Sequence, residues 1–409
     1  MLSLSTLDGY VSEEIRHLTE ERMNHDPTFA HRAELQHLKQ PNSPPTSIKP
    51  PLPQSPPLHG MERGLGGEAT PIQFTLPREL EASGPPERRG LRRDQVRLMV
   101  LNRRTGATLH TRFDRIGESL QAGDLLVFND SRTLPALLPG TFDDGDAIEV
   151  RLARQLDART WDALLLPHGG EHAGRRIEFR AGLHADVAQR RPDVPWLWRL
   201  RFDAAGAELL DRIYRAGEPV RYTYVPEILP IEDYQTVYAG EPGSVEMPSA
   251  GRPFTWELLL DLRRRGVQTA FITLHTGLSS VRDDALDALR LGHEEQYHIG
   301  PEAAAAVNEA RARGRRVIAV GTTVVRTLET VADADGRVQA AAGTTGLYIS
   351  AAHKLRAVDG LLTGLHEPRA SHLDLLSAFV PPALLGPAYT QALAAGYLWH
   401  EFGDVNLIV

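Results

Sequence analysis

Four places in the chain join an apolar run to residues that could handle protons or anions. D-L-L-V-F at 124–128 leads into Asn129, Asp130, Ser131 and Arg132. T-A-F-I-T-L at 269–274 leads into His275, Thr276 and Gly277. R-V-I-A-V at 316–320 leads into Gly321, Thr322 and Thr323, with Arg326 one helical turn further on. Gly360–Leu365 leads into His366, Glu367, Pro368 and Arg369. A carboxylate such as Asp130 can orient a polar substrate. An imidazole such as His275 can move protons, because it titrates near neutral pH. Arginine holds carboxylates and phosphates in bidentate fashion, and a G-T-T turn opening a helix presents free N–H groups to an anion. Each group also has a purely structural use. N-D-S-R is a good Asx turn, G-T-T a good helix cap, and a lone histidine often packs in a core. Arg326 could equally tie a helix to a loop. What favours chemistry is the conjunction. In open α/β sheets ligands bind beyond the carboxyl ends of the strands, so four parallel strands would deliver all four groups to one edge.

The elements that must position them are legible in the pattern. Arg97–Asn102, Asp124–Asp130, Thr269–Leu274, Arg316–Val320 and Gly360–Leu365 read as strands. The second is apolar enough to be buried on both faces. Phe254–Arg265, Pro301–Arg313, Val324–Ala332 and Leu373–Phe379 read as helices, and Pro301 and Gly314 bracket the second of these. Between them the texture changes. Ala147–Leu152, Trp161–Leu166, Arg176–Phe179 and Trp196–Phe202 are short runs with turns between. In the last, Trp196, Trp198, Leu200 and Phe202 share one face, and Leu197, Arg199 and Arg201 the other. That period of two suggests a small antiparallel barrel. The expected fold is therefore α/β, a mixed α/β main domain at 70–139 and 222–409 with a small antiparallel β-barrel inserted at 140–221. Residues 1–69 read as a Pro-rich extension with little core, since 41–57 hold eight prolines. Pro50 to Pro53 also fits a PxxP ligand.

Composition sets limits. The chain has 409 residues, a net charge of −8 and no cysteine. A disulfide scaffold, a thiolate metal site and a cysteine nucleophile are excluded. No apolar run is long enough to span a bilayer, and no signal-peptide pattern opens the chain, so a cytoplasmic protein without membrane contact is expected. The acidic balance gives no support to a nucleic-acid partner. His293-Glu294-Glu295-Gln296-Tyr297-His298 imitates a zinc-protease helix, but its histidines are five apart. On a helix that separates them by about 140°, so no metal is expected. A Walker A sequence is absent, and Gly64–Gly67 completes no dinucleotide fingerprint.

Longer stretches carry a resemblance. G-D-L-L-V-F-N-D-S-R at 123–132, Y-Q-T-V-Y-A at 234–239, G-S-V-E-M-P-S-A-G at 243–251 and T-L-H-T-G at 273–277 are joined by R-V-I-A-V-G-T-T-V-V-R-T-L-E-T at 316–330, V-D-G-L-L-T at 358–363 and L-L-S-A-F at 375–379. In order and spacing the chain resembles the S-adenosylmethionine:tRNA ribosyltransferase-isomerases of queuosine biosynthesis, from F-T-L-P-R-E-L at 74–80 to G-D-V-N-L-I at 403–408. The resemblance implies the barrel insertion. It also implies transfer of the ribosyl part of S-adenosylmethionine onto 7-aminomethyl-7-deazaguanine in a tRNA anticodon loop. Epoxyqueuosine forms while adenine and methionine leave, with no metal and no cofactor beyond S-adenosylmethionine as co-substrate.

On that resemblance Asp130, His275, His293 and Glu295 are the expected catalytic residues, the last two through a His-x-Glu match. Asn129, Arg132, Ser249, Gly251, Thr276, Gly277, Gly321, Thr322, Thr323, Arg326, His366 and Arg369 are expected to bind substrate. Some positions depart from the family. Its P-T-A-G-L-H-F-T reads P-S-A-G-R-P-F-T at 248–255, so Arg252 and Pro253 replace a Leu-His pair. Arg290 stands where the family has a histidine, and Gly364 stands for the asparagine of its N-F-H-L-P-K-S-T. A relative with a changed acceptor, or one that binds without chemistry, would differ at such positions.

Overall fold

The computed structural model describes residues 72–194, 196–279, 294–368 and 370–409. The chain opens with β1 (Arg97–Leu101) and β2 (Thr108–Arg112), then β3 (Leu125–Asn129) and the short β4 (Ser131–Thr133). Six strands follow, β5 (Leu137–Phe142), β6 (Ala147–Gln155), β7 (Thr160–Leu166), β8 (Arg176–Phe179), β9 (His184–Arg190) and β10 (Leu197–Phe202). Helix α1 (Gly206–Ala216), β11 (Glu241–Ser244), α2 (Trp256–Arg264) and β12 (Gln268–Leu274) come next. Then come β13 (Glu295–Ile299), α3 (Pro301–Ala312), β14 (Val317–Val320), α4 (Thr322–Val331), β15 (Ala341–Thr345) and β16 (Gly360–Gly364). Helices α5 (Ser371–Leu376) and α6 (Pro382–Ala394) precede the last strand, β17 (Val405–Ile408).

Nine strands form one mixed sheet in the order β15-β13-β12-β3-β14-β16-β17-β1-β2. Its centre, β12-β3-β14-β16, is parallel throughout. The four strand ends singled out in the sequence therefore stand side by side, as the parallel arrangement requires. Strand β3 shows why its sequence is apolar on both faces. Leu125 and Val127 join Ala270, Ile272 and residues of α3 and α4 in one core. Leu126 and Phe128 join Phe113, Phe254, Leu258 and Leu262 in another. Successive side chains point to opposite faces, and here both faces are covered. At the start of β3, buried Asp124 accepts Arg316 Nε at 3.0 Å and Gln121 N at 2.7 Å, tying β3 to the head of β14.

The strands of 137–202 close into a six-stranded antiparallel barrel, β10-β7-β6-β5-β8-β9. The expected fold class, a mixed α/β sheet domain with a small inserted barrel, is the one observed. Trp198, Leu200 and Phe202 are buried, while Arg199 is half-buried and Arg201 exposed. Leu197, expected outside with the arginines, is buried instead. A turn at 191–194 folds back on it, and its N–H donates to Val194 O at 2.9 Å. Helix α1 lays Leu209, Ile213 and Ala216 into the same apolar cluster. Helix α4 begins two residues earlier than the sequence suggests, at Thr322. Gly321, at φ +99°, turns the chain directly from β14 into the helix, a backbone shape that glycine adopts without strain. Among the described residues no helix is long and apolar enough to cross a membrane, and no group of histidines and acids is placed to hold a metal ion.

Candidate functional site

Asn129 ends β3 and locks it to β12. Its Nδ2 donates to Leu274 O at 2.8 Å, and its Oδ1 accepts Leu274 N at 2.9 Å and Ser131 N at 3.1 Å. Nδ2 also reaches Thr323 Oγ1 at 3.3 Å. The amide is buried and engaged on every side, so Asn129 positions the edge rather than offering itself to a ligand. Asp130 comes next. Its Oδ1 accepts Thr273 Oγ1 at 2.7 Å, and its main chain holds Ile272 O and Gly240 N at 2.9 Å each. Arg132, half-buried, lies on β4, the strand that carries the chain from the sheet edge to the barrel.

His275 follows β12 and meets the same edge. Its Nδ1 shares a hydrogen bond with Ser131 Oγ at 2.7 Å, and Ser131 Oγ shares another with Ser244 Oγ at 2.6 Å. Strand β11 runs flat against the ring. A Cβ on Gly243 would stand 2.5 Å from Nδ1, so only glycine fits there. Burial pushes the imidazole down to about 4. The expectation that it titrates near neutral pH is thus corrected: desolvation keeps this ring neutral at pH 7, a hydrogen-bonding group rather than an imidazolium. A cavity of about 560 Å³ opens beside it, lined by Asp130, Glu241, Phe271, Thr273, His275 and His298.

Beyond His275 the backbone of 276–279 binds two carboxylates. Gly277 N donates to Glu295 Oε1 at 3.2 Å, and Ser279 N to Glu246 Oε1 at 2.8 Å. Thr276 donates its N–H to Ser244 Oγ at 3.0 Å and its hydroxyl to Glu246 O. Glu295 is ion-paired with Arg326, whose Nε also donates to Leu347 O at 3.0 Å. Arg326 therefore meets a carboxylate, and that carboxylate belongs to the protein.

The remaining expected residues spread along the edge. Thr322 and Thr323 open α4, where the first N–H groups have no partner within the helix. His366 is half-buried, stacked on His372 at 4.4 Å and hydrogen-bonded through Nε2 to Thr363 Oγ1 at 2.7 Å. Burial holds it well below the usual histidine range. Ser249 and Gly251 form a single 3-10 turn. A Cβ on Gly251 would collide with Tyr238 Oη, so that glycine serves close packing. Arg252, where the family has an apolar residue, is buried. It donates from Nε to Asp233 O at 2.8 Å and from Nη2 to Glu87 at 3.1 Å. Glu295 to His298 lie on a strand, so helical metal spacing has no meaning there. His293 and Arg369 lie outside the described residues.

Two groups at this edge were not singled out from the sequence. Glu246 sits inside G-S-V-E-M-P-S-A-G but follows no apolar run, so a search at strand ends passes it by. Tyr222, stacked on Tyr224 at 5.4 Å, reaches Glu246 Oε2 with its hydroxyl at 3.3 Å. It lies in a segment without a periodic signal.

Comparison with known proteins agrees in extent with this edge and barrel. Residues 70–408 match the family described as queuosine biosynthesis protein. The S-adenosylmethionine:tRNA ribosyltransferase-isomerase of Caldanaerobacter subterraneus subsp. tengcongensis is 39% identical over 342 residues, 82% of this chain and 98% of that protein. Its counterpart in Symbiobacterium thermophilum is 40% identical over 343 residues, 83% and 98% of the two chains. A crystal structure of S-adenosylmethionine tRNA ribosyltransferase from Thermotoga maritima is 31% identical and covers 83% of this chain and 99% of its own, with a TM-score of 0.47.

Proposed function

This chain belongs to the queuosine biosynthesis protein family, and from that premise we propose that it transfers and isomerises the ribosyl moiety of S-adenosylmethionine onto 7-aminomethyl-7-deazaguanine in tRNA, giving epoxyqueuosine, adenine and methionine. The observation that carries the reading is the match of residues 70–408, which takes in the whole sheet edge and the barrel. The chemistry asks for parts that this edge can supply. A sulfonium acidifies the hydrogens on the neighbouring carbon, so a positioned base can begin the reaction. The anionic end of methionine suits the first turn of α4 at Thr322 and Thr323. Asp130, fixed by Thr273, can hold the substrate amine or a ribose hydroxyl. Neutral His275 can accept or donate one hydrogen bond without adding charge. Arg132 and Arg369 are the candidates for phosphates of the anticodon loop. The reaction calls for no metal and no further cofactor, and a tRNA substrate fits a cytoplasmic location.

The departure at 252–253 is compatible with this reading. The Arg252 charge is satisfied within the cluster of Glu87, Asp233 and Phe402. The test is adenine release from S-adenosylmethionine by the purified protein, with and without tRNA bearing the aminomethyl-deazaguanine. Release that depends on this tRNA is expected. Binding of S-adenosylmethionine with no release would favour a non-catalytic relative, and binding of neither ligand would defeat the proposal.

A further inference from the structure

Asp162, on β7, is completely buried and has three guanidinium groups around it. Arg154 Nη2, on β6, lies 3.3 Å from the carboxylate, Arg199 Nε, on β10, 3.4 Å, and Arg191 Nη1, just after β9, 3.6 Å. That carboxylate balances one of the three charges. Among the described residues, the other carboxylates ion-paired with these arginines are Asp193 and Glu294, whose side chains are 64% and 52% exposed. Arg191 is only 7% exposed and Arg154 16%. Well-buried cations are thus neutralised by partners that stand in water, where an ion pair is weak and exchangeable. Two of the cations are also short of acceptors. Arg154 Nε and Arg191 Nη1 are buried and make no hydrogen bond among the described residues. Buried donors of a folded protein are ordinarily satisfied, so these orphans point to an acceptor supplied from outside the chain.

Glu294 marks the place of that acceptor. Its Oε2 alone sits between two arginines, accepting Arg154 Nη1 and lying 3.7 Å from Arg191 Nη2. The next residue, Glu295, binds the N–H of Gly277, two residues after His275, and a Cβ on Gly277 would stand 3.4 Å from Ala153 O, beside Arg154. The arginine cluster of the barrel therefore adjoins the loop that continues from the sheet edge. We propose that Arg154 and Arg191, backed by Arg199, form a phosphodiester site for the RNA substrate, and that Glu294 holds the place until a phosphate displaces it. Guanidinium forks fit phosphate oxygens in bidentate fashion. A free carboxylate, such as that of methionine, gains little over Glu294, which the chain already tethers there. A phosphate close to the reacting nucleotide is tethered as well, and its effective concentration drives the exchange. The site also answers the acidic balance of the chain: at a net charge of −8, tRNA needs a local cluster of cations. The proposal rests on the tRNA reaction proposed above.

The test is direct binding of tRNA bearing the aminomethyl-deazaguanine to the full chain, read as Kd over a range of salt concentrations, beside KM for S-adenosylmethionine in adenine release. Arg154→Met should raise Kd for this tRNA about tenfold or more, lower the slope of log Kd against log salt by about one, and leave KM for S-adenosylmethionine within about threefold. Glu294→Gln removes the competing carboxylate and should tighten tRNA binding by about threefold or more, a gain that a merely structural role would not produce. In the double variant that gain should vanish, because both changes act on one site. An Arg154→Met Kd within about twofold of wild type overturns the proposal, as does a Glu294→Gln gain that survives in the double variant. A rise in KM for S-adenosylmethionine in place of the tRNA effect overturns it too, and assigns the cluster to the methionine carboxylate. Should Arg154→Met fail to fold, unchanged or weaker tRNA binding by Glu294→Gln overturns it equally. Wild-type protein that binds the tRNA and releases no adenine refutes the reaction, while the two variants still decide the phosphate site. Wild-type turnover with indifferent Arg154 and Glu294 refutes the site alone, and no tRNA binding at all defeats both.

Discussion

At the scale of single residues, the space in front of His275 is tightly constrained. The ring lies between the backbone of β11 and the Ser131 hydroxyl, and a methyl group at 243 would sit 2.5 Å from Nδ1. Overpacking of this kind costs about 1–3 kcal/mol and is relieved by moving whichever side chain gives way. The imidazole is the nearest neighbour on that side, so the ring moves and its bond to Ser131 is lost. Gly243→Ala should therefore cut adenine release at least tenfold, on the order of a lost positioning bond, while the protein stays folded in urea titration. A folded variant with unchanged turnover would remove His275 from the chemistry. Direct substitution makes the same point: Asp130→Ala or His275→Ala, each with turnover within about threefold of wild type, would cancel the role assigned to that residue.

At the scale of elements, the edge is held together by the ends of its strands. Asn129 closes β3 against β12 with two hydrogen bonds to the Leu274 backbone. Asn129→Ala leaves Leu274 N–H and C=O buried without these partners, a loss of about 1–3 kcal/mol for such groups. The midpoint of urea unfolding should fall accordingly, and turnover should fall with it because His275 is the next residue. An unchanged midpoint would mean that β12 is fixed by other contacts. This lock also shows what a sequence discloses. The strands β12, β3, β14 and β16 and the polar groups at their ends were legible, because an apolar run followed by polar residues has few other uses in an α/β chain, while their order in the sheet was not. The barrel was legible from the alternation at 197–202, although Leu197 follows tertiary cover rather than period. The engagement of Asn129 with Leu274, 145 residues away, was not legible, and neither was the burial that makes His275 neutral. Both depend on which strands become neighbours. Glu246 was hidden for a further reason. Its partners come from Tyr222 and Ser279, on two separate loops that carry no periodic pattern.

At the scale of the whole molecule, the buried titratable groups make stability depend on pH with two opposing signs. Burial pushes His275, His372 and His400 down to about 4 and His366 well below its usual range. The unfolded chain binds protons at these rings below about 6.5, whereas the native protein does not until about 4. Their contribution is fully present above about 6.5 and is lost as the pH falls toward 4. Glu246 and Glu401 act in the other direction. Burial pushes both up to about 7, so between about 7 and 4.5 the native protein keeps protons that the unfolded chain releases, and acidification adds stability. Burial raises the Asp233, Glu367 and Asp404 carboxyls as well, so acids and histidines oppose each other on acidification. The variants separate the two terms. His372 is stacked on His366 and near the Arg326 charge, and His372→Gln should make any loss of Tm between pH 7 and 5 smaller than in wild type. Glu401→Gln should make that loss larger, because a side chain that cannot release a proton no longer gains from acid. Thermal unfolding of both variants across this range decides the matter: parallel curves for wild type and His372→Gln would mean that the buried imidazole titrates alike in the native and unfolded states, and that solvent reaches this end of the sheet edge.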